Sequence, residues 1–169
     1  MSKLLEQDKI RYKDGKMPKF QKYLRKIQDA KNPLSRKFYR VLYALEARKN
    51  HIEISYKAKI GAGLYLGHAY CITINPRATL GKNCNIHKGV TIGQENRGSR
   101  IGVPTIGNDV WIGINSTVVG NITIGDDVMI APNSFVNQDI PPHSVVFGNP
   151  CIIKHKDYAT EKYINNRVE

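Results

Sequence analysis

The stretch from Thr105 to Val136, TIGNDVWIGINSTVVGNITIGDDVMIAPNSFV, carries an aliphatic residue at every sixth position. These residues are Ile106, Ile112, Val118, Ile124, Ile130 and Val136. A strand alternates its faces every two residues and an α-helix turns about every 3.6 residues, so neither element alone explains a period of six. The period predicts a chain that runs straight, turns a corner and repeats, with three sides to each coil.

The same spacing begins well before Thr105. The earlier aliphatic residues are Ile54, Ile60 and Leu66, followed by Ile74, Leu80, Ile86 and Ile92. The step is 8 residues from Leu66 to Ile74 and 14 from Ile92 to Ile106, each a multiple of six plus two. Two insertions therefore interrupt the repeat without changing its register. With Gly and Asn relieving strain at the corners, the sequence predicts a mainly β fold, a parallel β-helix with stacked aliphatic residues inside.

Length and composition indicate one globular domain with a small appendage, since 169 residues suffice for a single hydrophobic core. The sequence has no apolar run long enough to span a membrane, and its N-terminus lacks the apolar centre of a signal peptide, so we expect a cytoplasmic protein. The three cysteines are odd in number and show no CxxC spacing. This argues against a disulfide framework or a structural zinc site, and we expect each cysteine to be a packing residue.

Most of the positive charge belongs to the N-terminal segment. Residues 1–50 carry 15 Lys and Arg against 5 Asp and Glu, which is +10 of the total +12. Two amphipathic helices are predicted on either side of Asn32-Pro33. Their apolar faces contain Phe20, Tyr23, Leu24 and Ile27 in the first helix, and Phe38, Leu42 and Leu45 in the second. We expect both faces to pack on the main body; peripheral contact with an anionic membrane or a polyphosphate substrate stays open. No nucleic-acid-binding motif is present, and no nucleic-acid partner is expected.

The predicted organisation has three parts. Residues 1–50 form the basic helical segment, residues 51–153 the β-helix with a loop at 94–105, and residues 154–169 a C-terminal helix or tail. The segment LYLGHAY (64–70), the repeats on both sides of the loop, and the ending IPPHSVVFGNPCIIK (140–154) carry a family resemblance. Residues 51–154 resemble the hexapeptide-repeat acyltransferases, in particular the serine acetyltransferase branch and its sugar O-acetyltransferase relatives.

The resemblance implies a left-handed β-helix that assembles as a homotrimer. It also implies that acetyl-CoA is the co-substrate, bound in the groove between neighbouring β-helices, and that no metal is required. The implied reaction moves an acetyl group directly to a hydroxyl of a small-molecule acceptor. An attacking hydroxyl must lose its proton, and a histidine is suited to accept that proton near neutral pH.

Two histidines are candidates for this base. His68 follows the inward Leu66 by two positions, so it should point outward, and it matches the histidine of the DHATG motif of serine acetyltransferases. His87 follows the inward Ile86 on the same face of the next coil; it is the rival base, or it lines the groove and contacts the acceptor or pantetheine. Glu53 lies fifteen residues before His68, where those enzymes have an aspartate that orients the catalytic histidine.

The remaining site predictions concern the acyl donor. Backbone N–H groups beside the groove would stabilise the negative oxygen formed on attack, and Gly93 and Gly113 are candidates for this role and for CoA contact. The resemblance implies that Ala131 and Pro132 lie beside pantetheine. It implies that Lys154 lies near the nucleotide phosphates.

Departures from the serine enzymes bear on the acceptor. Val103 stands where those enzymes have a second active-site histidine, and Gly67 stands where they have the aspartate before the DHATG histidine. Arg97 and Arg100, in the loop, could instead meet a phosphate or uronate group. We therefore expect the acceptor to be a sugar or nucleotide sugar, in surface polysaccharide synthesis. The alternative is serine, as in cysteine synthesis.

Two other classes of function stay open at this stage. A zinc enzyme of the γ-carbonic-anhydrase kind would use His68 and His87 as ligands, but the close-spaced histidine pair of that family is absent. A non-catalytic β-helix could serve as an assembly scaffold.

Overall fold

The computed structural model describes residues 3–13 and 16–169. The chain is mainly β and forms a left-handed parallel β-helix of about 5 turns, preceded by helices. The three helices are α1 (Lys3–Ile10), α2 (Lys19–Asp29) and α3 (Pro33–Lys49). The repeat architecture and the two helices on either side of Asn32-Pro33, α2 and α3, are as the sequence predicts, whereas α1 was not predicted.

Each coil contributes short strands to three sheets, which we call faces A, B and C. Face A contains β1 (Glu53–Ile54), β4 (Thr73–Ile74), β7 (Thr91–Gly93), β10 (Thr117–Val119) and β13 (Phe135–Val136). Face B contains β2 (Lys59–Ile60), β5 (Thr79–Leu80), β8 (Thr105–Ile106) and β11 (Thr123–Ile124). Face C contains β3 (Tyr65–Gly67), β6 (Asn85–His87), β9 (Trp111–Ile112), β12 (Val128–Ile130) and β14 (Ser144–Phe147), with β15 (Ile152–His155) antiparallel at its edge.

The period of six places one column of aliphatic residues behind each face. On face C, for example, Leu66, Ile86, Ile112 and Ile130 are paired in register along the column. Every aliphatic residue of the six-residue series is buried. Each such side chain contributes on the order of 1.5–3 kcal/mol of transfer free energy, so the stacked columns form the core.

The two insertions lie at corners and point away from the core. Five residues, 68–72, connect face C to face A in the first coil, whereas three or four residues make this connection in later coils. The second insertion, between β7 and β8, forms a loop with a short 3₁₀ helix at Gly98–Arg100 and an antiparallel bridge between Glu95 and Gly102. Since the interior cannot accommodate extra residues, each insertion must project outward.

The N-terminal helices are fixed to the β-helix by a buried ion pair. Arg25 Nε lies 2.8 Å from Asp8 Oδ2, and neither side chain is exposed. Arg25 also donates to the carbonyls of Ile60 and Gly61, while Leu64 N donates to Asp8. The pair therefore joins α1 and α2 to each other and to the first coil.

The packing of α3 differs from the prediction. Phe20, Leu24 and Ile27 of α2 are buried as expected, but Phe38 and Leu45 of α3 are 59% and 64% exposed. Tyr43 and Ala47 are the α3 residues that meet the core. The predicted second apolar face is therefore wrong: α3 packs on α2 and the first coil through a different side.

The C-terminal tail returns across the end of face C. Asp127 accepts hydrogen bonds from Ala159 N, Thr160 N and Oγ1, and its carboxylate contacts His143 Nδ1. Burial acts to raise the pKa of Asp127, but these hydrogen bonds together hold it below its ordinary value. Asn83 and Val168 exchange two further hydrogen bonds, which fix the end of the tail.

We predict that Asp8→Asn lowers the free energy of unfolding by about 3–5 kcal/mol, because it leaves Arg25 buried without its carboxylate partner. Denaturant titration followed by circular dichroism measures the change. Glu6→Gln is the matched control, since it breaks the exposed Glu6–Lys9 pair of the same helix and should cost less than about 1 kcal/mol. Equal effects of the two substitutions would contradict this account.

Candidate active site

The corner that joins face C to face A, which we call the C–A edge, comprises residues 68–72, 88–90, 113–116 and 131–134 in successive coils. Beside its first coil the structure has a cavity of about 560 Å³. The predicted bases His68 and His87 both line this cavity. The expectation that they are near neighbours is confirmed, but only His87 lies on face C, since His68 is in the corner directly after β3.

Three separate parts of the chain form the cavity. From the coils come Tyr65, Leu66, His68, Ala69, Asn85, His87 and Trp111; from the N-terminal segment come Arg11, Tyr12, Lys13, Lys16 and Pro18; from the tail come Tyr163, Asn165 and Asn166. Five of these lining residues can carry a positive charge, namely Arg11, Lys13, Lys16, His68 and His87. No Asp or Glu is among the described lining residues. The cavity is therefore suited to an anionic ligand.

His68 is an exposed residue on the extended first corner of the C–A edge. Its φ of 51° lies in the left-handed region, as does that of Cys71, three residues later. The five-residue corner thus holds His68 in an exposed position. Cys71 is exposed as well, so the expectation that every cysteine is a buried packing residue is wrong for this one.

His87 lies deeper than His68, between aromatic rings. Its ring centroid is 4.8 Å from that of Trp111 and 6.5 Å from that of Tyr65. The buried His87 Nε2 has no hydrogen-bond partner among the described residues. Desolvation, followed by the charge of His68, lowers the pKa of His87.

Gly67 makes the position of His87 possible. A Cβ at Gly67 would lie 2.5 Å from both Cε1 and Nδ1 of His87, which is paired with Gly67 in register. Any side chain here would displace the imidazole. The glycine that replaces the aspartate of the serine enzymes therefore accommodates a histidine from the next coil.

Several predicted CoA residues lie farther along the same edge. A Cβ at Gly113 would be 2.6 Å from Pro132 N, so these two corners stack directly. The neighbouring Ala131 carbonyl accepts hydrogen bonds from Ser116 and Ser134. Gly113, Ala131 and Pro132 thus share the C–A edge with His68.

Other predicted site residues lie elsewhere in the single chain. Glu53 and Gly93 line a second cavity, on face A, and Thr73 Oγ1 donates to Glu53 Oε2 at 3.4 Å. Between the two described residues Glu53 and His68 there is no hydrogen bond or ion pair, and the orienting role of Glu53 stays a prediction. Lys154 is exposed, with its Nζ 5.7 Å from the centroid of the Phe147 ring.

Arg97 and Arg100 are exposed on the loop between faces A and B. The part of the cavity lining that the structure describes includes neither of them. Val103, at the end of the same loop, packs partly against the core. The substrate role of the two arginines stays a prediction.

Sequence reasoning missed the contributions of the two chain ends. Arg11 and Tyr12 follow α1, and Tyr163 packs on Trp111 with ring centroids 5.1 Å apart. One signal for the cavity was available in the sequence: the single tryptophan, Trp111, stands at an outward position directly before the inward Ile112. Nothing in the repeat indicates where the ends would dock.

Residues 3–13 and 16–169 contain neither a membrane-spanning helix nor a metal-binding cluster. None of the helices is long and apolar enough to cross a membrane. No group of three or more His, Cys, Asp or Glu side chains has the arrangement of a metal site.

Known proteins similar to this chain are hexapeptide-repeat transferases, and several of them are serine acetyltransferases. The family model "Bacterial transferase hexapeptide (six repeats)" matches residues 104–138. A serine acetyltransferase from Staphylococcus aureus is 41% identical over 108 residues, which cover 63% of this chain and 50% of that protein. The Neisseria gonorrhoeae serine acetyltransferase solved in complex with serine is 30% identical, with a TM-score of 0.69, and the match covers 90% of this chain and 68% of that one. The chain belongs to the serine acetyltransferase family.

Another solved member is the Brucella abortus serine acetyltransferase in complex with Coenzyme A, at 28% identity and a TM-score of 0.68. That match covers 79% of this chain and 54% of the Brucella chain. The chain spans half or less of the length of the curated serine acetyltransferases that it matches. Family membership therefore rests on the β-helix and its immediate surroundings.

We predict that Trp111 fluorescence reports the protonation of His87, since an imidazolium quenches a neighbouring indole more than a neutral imidazole does. Emission should fall on acidification with a midpoint below the ordinary histidine pKa of about 6.5, because burial disfavours the cation. His87→Gln should abolish the transition, and His68→Gln should move it upward by removing a nearby charge. A transition that persists in His87→Gln would contradict this assignment.

Proposed function

We propose that the protein is an acetyl-CoA-dependent O-acetyltransferase that acetylates a hydroxyl group of a small molecule. The observation that carries the proposal is the position of His68, exposed at the extended corner and lining the cavity on the C–A edge. Acetyl-CoA supplies the acetyl thioester. The acceptor oxygen forms the new ester bond as the thioester C–S bond breaks, and CoA leaves as its thiol.

In this proposal His68 takes the proton from the acceptor hydroxyl. Proton transfer to a positioned base contributes about 10²- to 10⁴-fold to the rate of such reactions. His87 is packed between aromatic rings and has a lowered pKa. We therefore assign it to the lining of the acceptor site and not to the role of base. Gly113, Ala131 and Pro132 extend from the cavity along the C–A edge and would contact the donor.

For the acceptor, the relatives support serine, the alternative of the sequence analysis, better than the sugar that was expected first. The matched family members are named as serine acetyltransferases, and two of the solved ones are complexes with serine. Synthesis of surface polysaccharide has no support from these comparisons. One observation keeps a sugar acceptor as a second candidate: the described cavity lining offers no carboxylate to an amino acid's ammonium group.

We also propose that the protein works as a homotrimer with the donor bound between subunits. The exposed apolar residues of α3, namely Leu34, Phe38, Val41 and Leu45, form a surface that assembly could cover. Peripheral contact between the basic helices and a membrane is a weaker proposal, since Arg11, Lys13 and Lys16 line the cavity instead.

We predict that acetyl-CoA and serine together release CoA thiol well above the hydrolysis background, and that His68→Gln lowers this turnover by about 10²- to 10⁴-fold. The dissociation constant for CoA should hardly change, because the imidazole is assigned to the hydroxyl. A panel of sugars, sugar phosphates and nucleotide sugars belongs in the same thiol-release assay. If a panel member is acetylated and serine is not, the proposed acceptor becomes that compound.

His143→Gln is the matched control for this experiment. His143 is a half-exposed histidine paired with Asp127, outside the described cavity lining, so its replacement should leave turnover within a few-fold of wild type. Loss of activity in His87→Gln together with retained activity in His68→Gln would reverse the assignment of the base. Absence of thiol release with every acceptor would refute the proposed function.

A further inference from the structure

Arg11 is a buried cation with an incomplete set of partners. The residue is 5% exposed and lies in the turn after α1. Its Nη2 donates to Asn85 Oδ1, whose amide nitrogen in turn donates to the carbonyl of Tyr163. The Nε and Nη1 atoms are buried and have no hydrogen-bond partner among the residues that the structure describes.

The second buried arginine shows how this chain satisfies such a group. Arg25 binds both oxygens of Asp8 and two backbone carbonyls. Arg11 has no carboxylate partner within the described chain, since the nearby Asp109 forms its ion pair with Arg167, at 2.8 Å. Desolvation first, and the Arg167 cation second, lower the pKa of Arg11. An unpaired guanidinium in this environment is destabilised, and an anion would relieve it.

The surroundings of Arg11 point to a ligand. Arg11 lines the cavity that also contains His68, and the buried His87 Nε2 on that cavity likewise has no partner within the described residues. Lys13 and Lys16 add positive charge at the same site. Guanidinium and imidazole N–H groups are strong donors to carboxylate and phosphoryl oxygens.

We propose that Arg11, assisted by His87, binds an anionic group of the acceptor, a carboxylate or a phosphoryl group, and so selects acceptors that carry both this group and a hydroxyl. The inference rests on the proposed function for the identity of the ligand as the acceptor. It assigns a substrate-binding role to the N-terminal segment, which lies outside the hexapeptide repeats. It also explains why Asn85 holds the guanidinium at the cavity.

The first test is anion binding itself, which does not depend on catalysis. Trp111, the only tryptophan in the sequence, lines the cavity and contacts His87, so its fluorescence can follow a titration with inorganic phosphate or acetate at constant ionic strength. Wild type should show saturable binding. Arg11→Met should weaken binding by about 10- to 100-fold, which is the effect of removing a hydrogen bond to a charged group.

Two variants keep this test decisive. Arg11→Lys retains the charge and should retain part of the affinity even if Arg11→Met is poorly folded by circular dichroism. Arg36→Met removes an exposed arginine of α3, whose hydrogen bond goes to the Ala30 carbonyl, and should bind phosphate like wild type. No saturable binding in wild type, or equal affinity in wild type and Arg11→Met, would overturn the proposal.

The second test identifies the source of the anion through paired acceptors. Serine is compared with serinamide, and a sugar phosphate with its free sugar, because each pair differs in the anionic group. Within the pair that wild type acetylates, the KM should be lower for the anionic acceptor than for its neutral counterpart. Arg11→Met should lose this difference in KM, and its kcat should change less than its KM. A comparable rise in the dissociation constant for CoA would assign the anion to the donor and overturn the proposal.

The two proposals fail in different ways. If no acceptor is acetylated but phosphate binding depends on Arg11, the anion site stands and the proposed function fails. If acetyl transfer is observed while Arg11→Met changes neither phosphate binding nor the acceptor KM, the function stands and the inference about Arg11 is wrong.

Discussion

The narrow interior of the three-sided coil is the constraint on which the rest of the structure depends. Each face gives one inward aliphatic residue per coil, and these residues stack in register with their equivalents above and below, as in the column from Leu66 to Ile130. Such an interior is close-packed and cannot absorb an inserted residue without loss of contacts. Extra residues therefore leave the coil at a corner. The first of these departures carries His68 and the second carries the loop with Arg97 and Arg100.

This constraint explains which features could be predicted from the sequence. A strict period fixes the core residues and the outward direction of their neighbours, so the burial of the whole aliphatic series and the proximity of His68 to His87 were accessible. Interruptions of the period marked the corners where the chain departs from the regular surface. The comparisons then supported the family that the repeat resembles.

The features that sequence analysis missed depend on contacts distant in the chain. Docking of α1 and α2 follows from Asp8 and Arg25, two charged residues that an amphipathic pattern assigns to solvent. The same pattern gave the wrong face for α3, because helical periodicity indicates an apolar stripe without indicating what covers it. Arg11 and Tyr163 reach the cavity only through that docking and through the returning tail.

The two ends of the chain thus convert a repetitive scaffold into a particular site. The β-helix supplies His68, the proposed base, the stacked corners of Gly113 and Pro132, and the aromatic contact of His87 with Trp111. The N-terminal segment adds positive charge to the cavity, and the tail adds Tyr163, Asn165 and Asn166 to its lining. Acceptor specificity can therefore differ between proteins that share the repeat, since fold alone does not determine function.

The most direct test of the central claim is a crystal structure of the protein with bound CoA. We expect a trimer in which CoA follows the C–A edge past Gly113 and Pro132 and its sulfur opens into the cavity beside His68. A CoA molecule whose sulfur lies instead on face A, beside Glu53 and Gly93 and away from His68, would contradict the account.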